Sequence, residues 1–153
     1  MRTGTRLGID VGKVRVGVAR SDPHGMIATP VETVQRASSS IKRILLLAVE
    51  FEAVELVVGL PIALSGRDTP STADARAFAQ ELADGSDITV RLVDERMTTM
   101  SAQSALRASG RTTKNSRSVV DQVAAVIILQ HALDFERSAA RPPGELVQPT
   151  LGS

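Results

Sequence analysis

The sequence predicts one α/β domain in which a mixed β-sheet carries helices on its faces. Alternating apolar residues near the N-terminus predict a β-hairpin, and the run at residues 54–59, apolar except for Glu55, predicts a buried strand of the parallel kind. Helical spacing of apolar residues separates the later strands. A chain of 153 residues suits a single domain. We place that domain at residues 1–136, and we expect the Pro- and Gly-rich residues 137–153 to be a disordered tail.

The first third of the chain is predicted to form three antiparallel strands. Apolar residues alternate over 7–11 and again over 16–20, which indicates a hairpin, and a third strand is expected at 28–34. Serines then precede a predicted helix over 41–51. The buried strand at 54–59 follows this helix.

Helices and strands alternate in the rest of the chain. Ser71 and Asp74 have the spacing of a capping box, which predicts a helix from Ser71 to the Asp84-Gly85 pair. A strand over 88–93 follows, and further helices are predicted at 100–108 and 119–135.

Several classes of protein are excluded by composition. The absence of Cys rules out zinc-thiolate sites, iron-sulfur clusters, thiol nucleophiles and disulfides. No apolar run approaches the roughly 18 residues of a membrane helix, and residues 1–10 lack the apolar segment of a signal peptide, so we expect a cytoplasmic protein. His24 is expected in a turn and His131 in a partly buried helix position.

The net charge of +1 is uninformative, but two stretches are locally basic. Residues 2–20 hold five cations and a single acid, Asp10, and no acid interrupts the five cations of residues 96–120. Each stretch is either a solvated face or a surface for phosphates. Because the chain has three Phe and neither Trp nor Tyr, an aromatic platform for single strands is not expected.

Two acids lie in or at the end of predicted strands, at positions where a catalytic or ligand-binding residue is expected. Asp10 shares one face of the first strand with Gly8 and Gly12, so nothing bulky lies beside its carboxylate. Glu95 ends a strand, at the edge of a parallel sheet where ligand sites form. The alternatives are a turn residue for Asp10 and a surface ion pair for Glu95.

Asp121 is a third candidate with a competing explanation. Ser118 and Asp121 have capping-box spacing, and an acid in the first turn of a helix also suits the helix dipole. Asp121 also lies on the apolar stripe continued by Ala125 and Ile128, so its side chain is expected to point toward the sheet. A carboxylate in that position needs a cation.

Four segments together resemble the YqgF/RuvX family, whose members are described as Holliday-junction-resolvase-like proteins or nucleases for precursor small-subunit (16S) rRNA. The resemblance runs from residue 6 to about residue 133. The segments are GIDVGKVRVGVARSD at 8–22, VVGLP at 57–61, DERMTT at 94–99 and SVVDQVAAVIIL at 118–129.

The resemblance implies a ribonuclease H-like fold, with a five-stranded mixed sheet flanked by helices and with Asp10, Glu95 and Asp121 as the catalytic and metal-binding acids. Carboxylates suit Mg²⁺ or Mn²⁺, and two such ions can clamp the attacking and leaving oxygens of a phosphodiester. Arg15 and Arg96 are expected either to contact phosphate or to brace the acids. Further phosphate contacts are expected from the second basic stretch, at Arg107, Arg111, Lys114 and Arg117.

The sequence therefore predicts a metal-dependent endonuclease acting on structured RNA, with pre-16S rRNA as its substrate. One alternative is a Holliday junction resolvase acting on branched DNA as a homodimer, since two opposed cuts need two sites. Another is a ribosome-associated RNA-binding protein without catalysis. No membrane partner is expected, and the sequence leaves monomer and homodimer open.

Overall fold

The structure, a computed structural model, describes residues 2–95 and 113–150, and within 113–120 only the backbone. These residues contain six strands and three helices. In chain order they are β1 Thr5–Val11, β2 Arg15–Ser21, β3 Ala28–Gln35, α1 Ser40–Glu50, β4 Ala53–Leu60, α2 Pro70–Asp84, β5 Thr89–Asp94, α3 Thr113–Ala139 and β6 Glu145–Val147. The helix predicted at 100–108 lies outside the described residues.

All six strands form one mixed sheet in the order β3-β2-β1-β4-β5-β6. The three N-terminal strands are antiparallel, and β1, β4 and β5 are parallel. The mixed sheet is confirmed, but the count of five strands was wrong. The additional strand, β6, pairs antiparallel with residues 90–92 of β5 and lies inside the tail that was expected to be disordered. Three residues between prolines are too few to show a strand pattern in the sequence.

Two helices begin at other residues than the sequence indicated. Thr69, not Ser71, caps α2: its hydroxyl accepts from the Thr72 amide, the Thr72 hydroxyl accepts in return from the Thr69 amide, and Pro70 occupies the first turn. α3 begins at Thr113 instead of residue 119. None of the helices in the described part of the chain is long and apolar enough to cross a membrane.

The sheet separates two apolar cores. On one face, side chains such as Leu7, Ile9 and Leu56 pack with α1 and α2. On the other face, α3 packs directly against β1 and β2. Glycines allow this close approach: a Cβ at Gly8 would meet the Ala125 carbonyl oxygen at 2.8 Å, and one at Gly17 would collide with the Asp121 carbonyl oxygen. α3 therefore lies on the sheet backbone itself.

A buried charge cluster holds the far end of α3. It consists of the buried side chains of Arg6, Glu55 and Glu136, together with the partly buried Arg91 and the exposed Arg2. Arg2 lies 2.9 Å from Glu55 and 2.6 Å from Glu136, Arg91 lies 2.8 Å from Glu55, and Arg6 lies 3.2 Å from Glu136. Hydrogen bonds from Arg2 lower the pKa of Glu136 to about 2. The cluster ties the C-terminal part of α3 to β1, β4 and β5.

Candidate active site

Asp10 lies near the end of β1, directly opposite Gly17 of β2. A tight turn joins the two strands, with the Gly12 amide donating to the Arg15 carbonyl over 2.9 Å. Asp10 lies on the face that α3 covers, so its carboxylate is partly buried. Burial, and secondly the charge of Asp121, raise the pKa of Asp10 to about 6.

Glu95 follows the last residue of β5, and its amide donates to the Leu60 carbonyl over 3.2 Å. Its carboxylate lies over Gly59, where a Cβ would collide with Glu95 Oε2 and would meet Ile128 at 2.6 Å. Burial, and then the charges of Asp10 and Asp94, raise the pKa of Glu95 to about 7. Gly59 thus provides the space for this side chain.

Asp121 is the ninth residue of α3, counting from Thr113. The capping interpretation of this acid is wrong, because the helix has run for two turns before reaching it. Arg15 Nε donates to Asp121 Oδ2 over 2.8 Å, in a pair whose side chains are 24% and 20% exposed. The next residue, Gln122, donates to Thr33 of β3 over 3.0 Å. These two bonds fix the orientation of this part of α3.

The structure brings Asp10, Glu95 and Asp121 to one end of the sheet, from β1, β5 and α3. The charge of Asp121 acts on Asp10 and that of Asp10 acts on Glu95, so the three acids form one electrostatically linked group. Within residues 2–95 and 113–150, no three acidic or histidine side chains already have the spacing of a metal site. The acids are therefore a coupled group and not a preformed cage.

The predicted phosphate-binding residues are only partly described. Arg15 makes the bracing contact with Asp121 that the sequence left open as one of its two roles. Arg96, Arg107 and Arg111 lie outside the described residues, as do the side chains of Lys114 and Arg117.

The N-terminal basic stretch is largely occupied within the protein. Arg2 and Arg6 belong to the buried charge cluster. Arg20 stacks over the Phe51 ring at 4.8 Å from the centroid. These three cations therefore make contacts within the protein, which gives each of them a structural role.

Arg36, just after β3, was missed by the sequence analysis. Its guanidinium donates to both carboxylate oxygens of Asp74 at 2.9 and 2.8 Å and to the Gly12 carbonyl at 2.9 Å. It also lies 5.0 Å from the centre of the Phe78 ring, and its amide donates to the Val14 carbonyl. Arg36 thereby fixes the turn that follows Asp10. Its partners lie far away along the chain, so no local pattern could have indicated it.

Comparison with known proteins identifies the family. The family model described as "RuvX: Holliday junction resolvase" matches residues 4–135. The chain belongs to the RuvX family. It is 64% identical over 150 residues to a "Putative pre-16S rRNA nuclease" of Clavibacter michiganensis subsp. michiganensis, covering 96% of this chain and 93% of the relative. A RuvX relative with the same name from Leifsonia xyli subsp. xyli is 58% identical and is covered to 99%, as is this chain.

A solved structure confirms the fold of this RuvX chain. "T. thermophilus RuvC in complex with Holliday junction substrate" is similar with a TM-score of 0.60 at 15% identity, covering 94% of this chain and 99% of that one. The predicted ribonuclease H-like fold is thereby confirmed, with six strands in place of five.

Proposed function

We propose that this RuvX chain is an endonuclease that hydrolyses phosphodiester bonds in the precursor of 16S rRNA, in the cytoplasm. The observation that carries the proposal is the meeting of Asp10, Glu95 and Asp121 at one end of the sheet. The relatives named as pre-16S rRNA nucleases support the choice of substrate.

The three acids carry the type of ligand atom that a hard divalent cation prefers. All three groups are carboxylates, the ligands preferred by Mg²⁺ and Mn²⁺. The raised pKa values of Asp10 and Glu95 reflect burial first and then repulsion from neighbouring carboxylates, which a bound cation would relieve. We propose that Asp10, Glu95 and Asp121 hold Mg²⁺ or Mn²⁺, which would stabilise charge on the phosphate and promote ionisation of a bound water.

The chain's own residues prepare this site. Arg15 holds Asp121 toward Asp10 and Arg36 holds the turn that ends β1, so two of the three acids sit on braced elements. Gly59 leaves room for Glu95 beneath α3. Rigid support of this kind keeps the orientation of catalytic groups fixed before the substrate binds.

A cleavage assay tests the proposal. Pre-16S rRNA and a four-way DNA junction are offered separately with Mg²⁺ and with Mn²⁺, to the wild type, Asp10→Asn and the control Asp87→Asn. Asp87 is an exposed acid in the loop before β5. We expect the wild type and Asp87→Asn to cut the RNA, and Asp10→Asn to bind it without cutting. Cleavage by Asp10→Asn at the wild-type rate would reject the proposed site.

Junction resolution is the second candidate, favoured by the similarity to the RuvC fold and by the description of the family model. It requires a dimer with two sites acting on opposed strands. Symmetric cuts on the DNA junction, together with a dimer mass in sedimentation, would support it over RNA processing. RNA binding without cleavage of either substrate by the wild type would support the non-catalytic alternative.

The second basic stretch is proposed to contact phosphates through Arg107, Arg111, Lys114 and Arg117. Replacing two of the four by Ala should flatten the dependence of log affinity on log salt by about one unit per lost contact. The double variant Lys42→Ala, Arg67→Ala removes two exposed cations elsewhere and is the matched control. An unchanged slope in the test variant would return this stretch to a solvated face.

A further inference from the structure

An apolar pocket of about 340 Å³ lies beside the acids, between the C-terminal half of α3 and the end of β5. This volume is within the roughly 300–1,000 Å³ of small-ligand pockets, which combine apolar walls with a few polar groups. Ile128, Ala132 and Phe135 line it from α3, Val93 and Asp94 line it from β5, and His131 adds a second polar group.

The pocket and the candidate active site share a wall. Ile128 lines the pocket, and its side chain also lies over Gly59, where the carboxylate of Glu95 is found. Asp94, which also lines the pocket, directly precedes Glu95 in the chain. A group entering the pocket would therefore stand next to whatever the acids bind.

The C-terminal segment builds the outer wall. Pro143 and Gly144 line the pocket, and β6 holds them against β5. Gly144 has a φ of +65°, and a Cβ there would meet the Val93 side chain at 2.8 Å, so the segment approaches β5 as closely as glycine permits. The pocket exists because residues expected to form a disordered tail fold back.

Two ring-bearing side chains make the pocket suitable for a flat ligand. His131 and Phe135 are one helical turn apart on α3. His131 is exposed, contrary to the partly buried position expected from the sequence, and Phe135 is 39% exposed, unusual for so large an apolar side chain. Arg141 lies over the Phe135 ring at 5.2 Å and adds positive charge beside the opening.

We propose that this pocket receives one unstacked nucleobase of the RNA substrate, adjacent to the phosphate that the acids attack. The proposal rests on the proposed function. Sequence-specific recognition of RNA commonly stacks a splayed base on Phe or His and reads its edge by hydrogen bonds. Asp94 carries a carboxylate, which can accept a hydrogen bond from an N–H group on the edge of a base.

Fluorescence of 2-aminopurine tests this directly. The base analogue is placed at each position around the cleavage site of a short precursor RNA, and binding to the full chain is measured in EDTA so that no cleavage is needed. We expect one position beside the cut to change fluorescence on binding. Phe135→Ala should weaken binding of that RNA roughly fivefold or more, as loss of a base stack does.

Controls separate the pocket from the fold and from the proposed function. Val49→Ala removes an apolar side chain that is 71% exposed on α1 and should leave binding unchanged. His131→Ala, at an exposed position, provides a second pocket variant and should also reduce the fluorescence change. The base pocket would be overturned if 2-aminopurine changed its fluorescence at no position of the RNA, or if both pocket variants gave the fluorescence change of the wild type. Either result would count even if the wild type cleaves RNA. A stronger response with the matching DNA strand would overturn the RNA assignment. Failure of cleavage alone would reject only the proposed function.

Discussion

Replacing Asp10 with Asn should stabilise the metal-free protein, and by an amount that depends on pH. In the folded chain, burial and the charge of Asp121 raise the pKa of Asp10 from 3.8 to about 6. Between these two values the folded chain keeps a proton that the unfolded chain has lost. The contribution of Asp10 to the free energy of unfolding therefore falls as pH rises from about 4 to about 6, and then levels off. The contribution of Glu95, whose pKa is raised to about 7, continues to fall to about pH 7.

The size of this effect follows from the shift. A displacement of about two pKa units corresponds to roughly 3 kcal/mol, since one unit is about 1.4 kcal/mol. Asp10→Asn has no charge to desolvate, so its advantage should grow from near zero at pH 4 to as much as about 3 kcal/mol at pH 8. For a chain of this size that is a rise in melting temperature of about 6–12 °C.

Urea denaturation at both pH values in EDTA measures the difference. Asp87→Asn, the exposed control, should change the free energy of unfolding by no more than about 0.5 kcal/mol at either pH. Added Mn²⁺ should stabilise the wild type more than Asp10→Asn, because it binds only the folded acids. If Asp10→Asn were no more stable than the wild type at pH 8, Asp10 would not be a desolvated, repelled carboxylate and the coupling of the acids would be refuted.

Three further predictions concern the elements around the site. Asp121→Asn should lose most of the rise in melting temperature that Mn²⁺ gives the wild type, and an equal rise at matched concentration would remove Asp121 from the proposed metal site. Arg36→Lys should lower the free energy of unfolding by roughly 1–3 kcal/mol, because a lysine cannot bridge the Gly12 carbonyl and Asp74 together; strict additivity with Asp74→Asn in a double-mutant cycle would contradict this. Gly17→Ala should cost roughly 1–3 kcal/mol by pushing α3 off the sheet, and an unchanged urea midpoint would speak against that close approach.

The sequence predicted elements whose signal is local. Apolar alternation indicated the hairpin of β1 and β2, and a run interrupted only by Glu55 indicated the buried strand β4. Burial on one or both faces of a strand imposes those patterns. The first residues of the helices were harder to predict from the sequence. Residues 113–118 are all polar and carry no apolar period, so the predicted start of α3 was too late. At α2, the spacing of Ser71 and Asp74 favoured Ser71 as the cap, whereas Pro70, which suits the first turn of a helix, indicates Thr69.

The site needed tertiary contacts that local patterns do not contain. The spacing of Ser118 and Asp121 fits a capping box, but α3 begins at Thr113, so neither residue lies at its N-terminus. The ion pair of Arg15 and Asp121 joins residues 106 positions apart, and the bonds between Arg2 and Glu136 span 134 positions. A single sequence cannot reveal such pairs, so the N-terminal basic stretch gave no indication of its inward-facing members.

The two anchors of α3 restrict where this chain can change length. The Asp121 carbonyl lies over Gly17 at one anchor, and Glu136 sits in the buried charge cluster at the other. Fifteen residues, or about 22 Å of helix, separate them. One inserted residue would rotate one anchor by about 100° relative to the other, so either the acid would leave the site or a buried carboxylate would lose its arginines. Loop insertions should instead be tolerated at exposed residues 64–68, where neither anchor is disturbed.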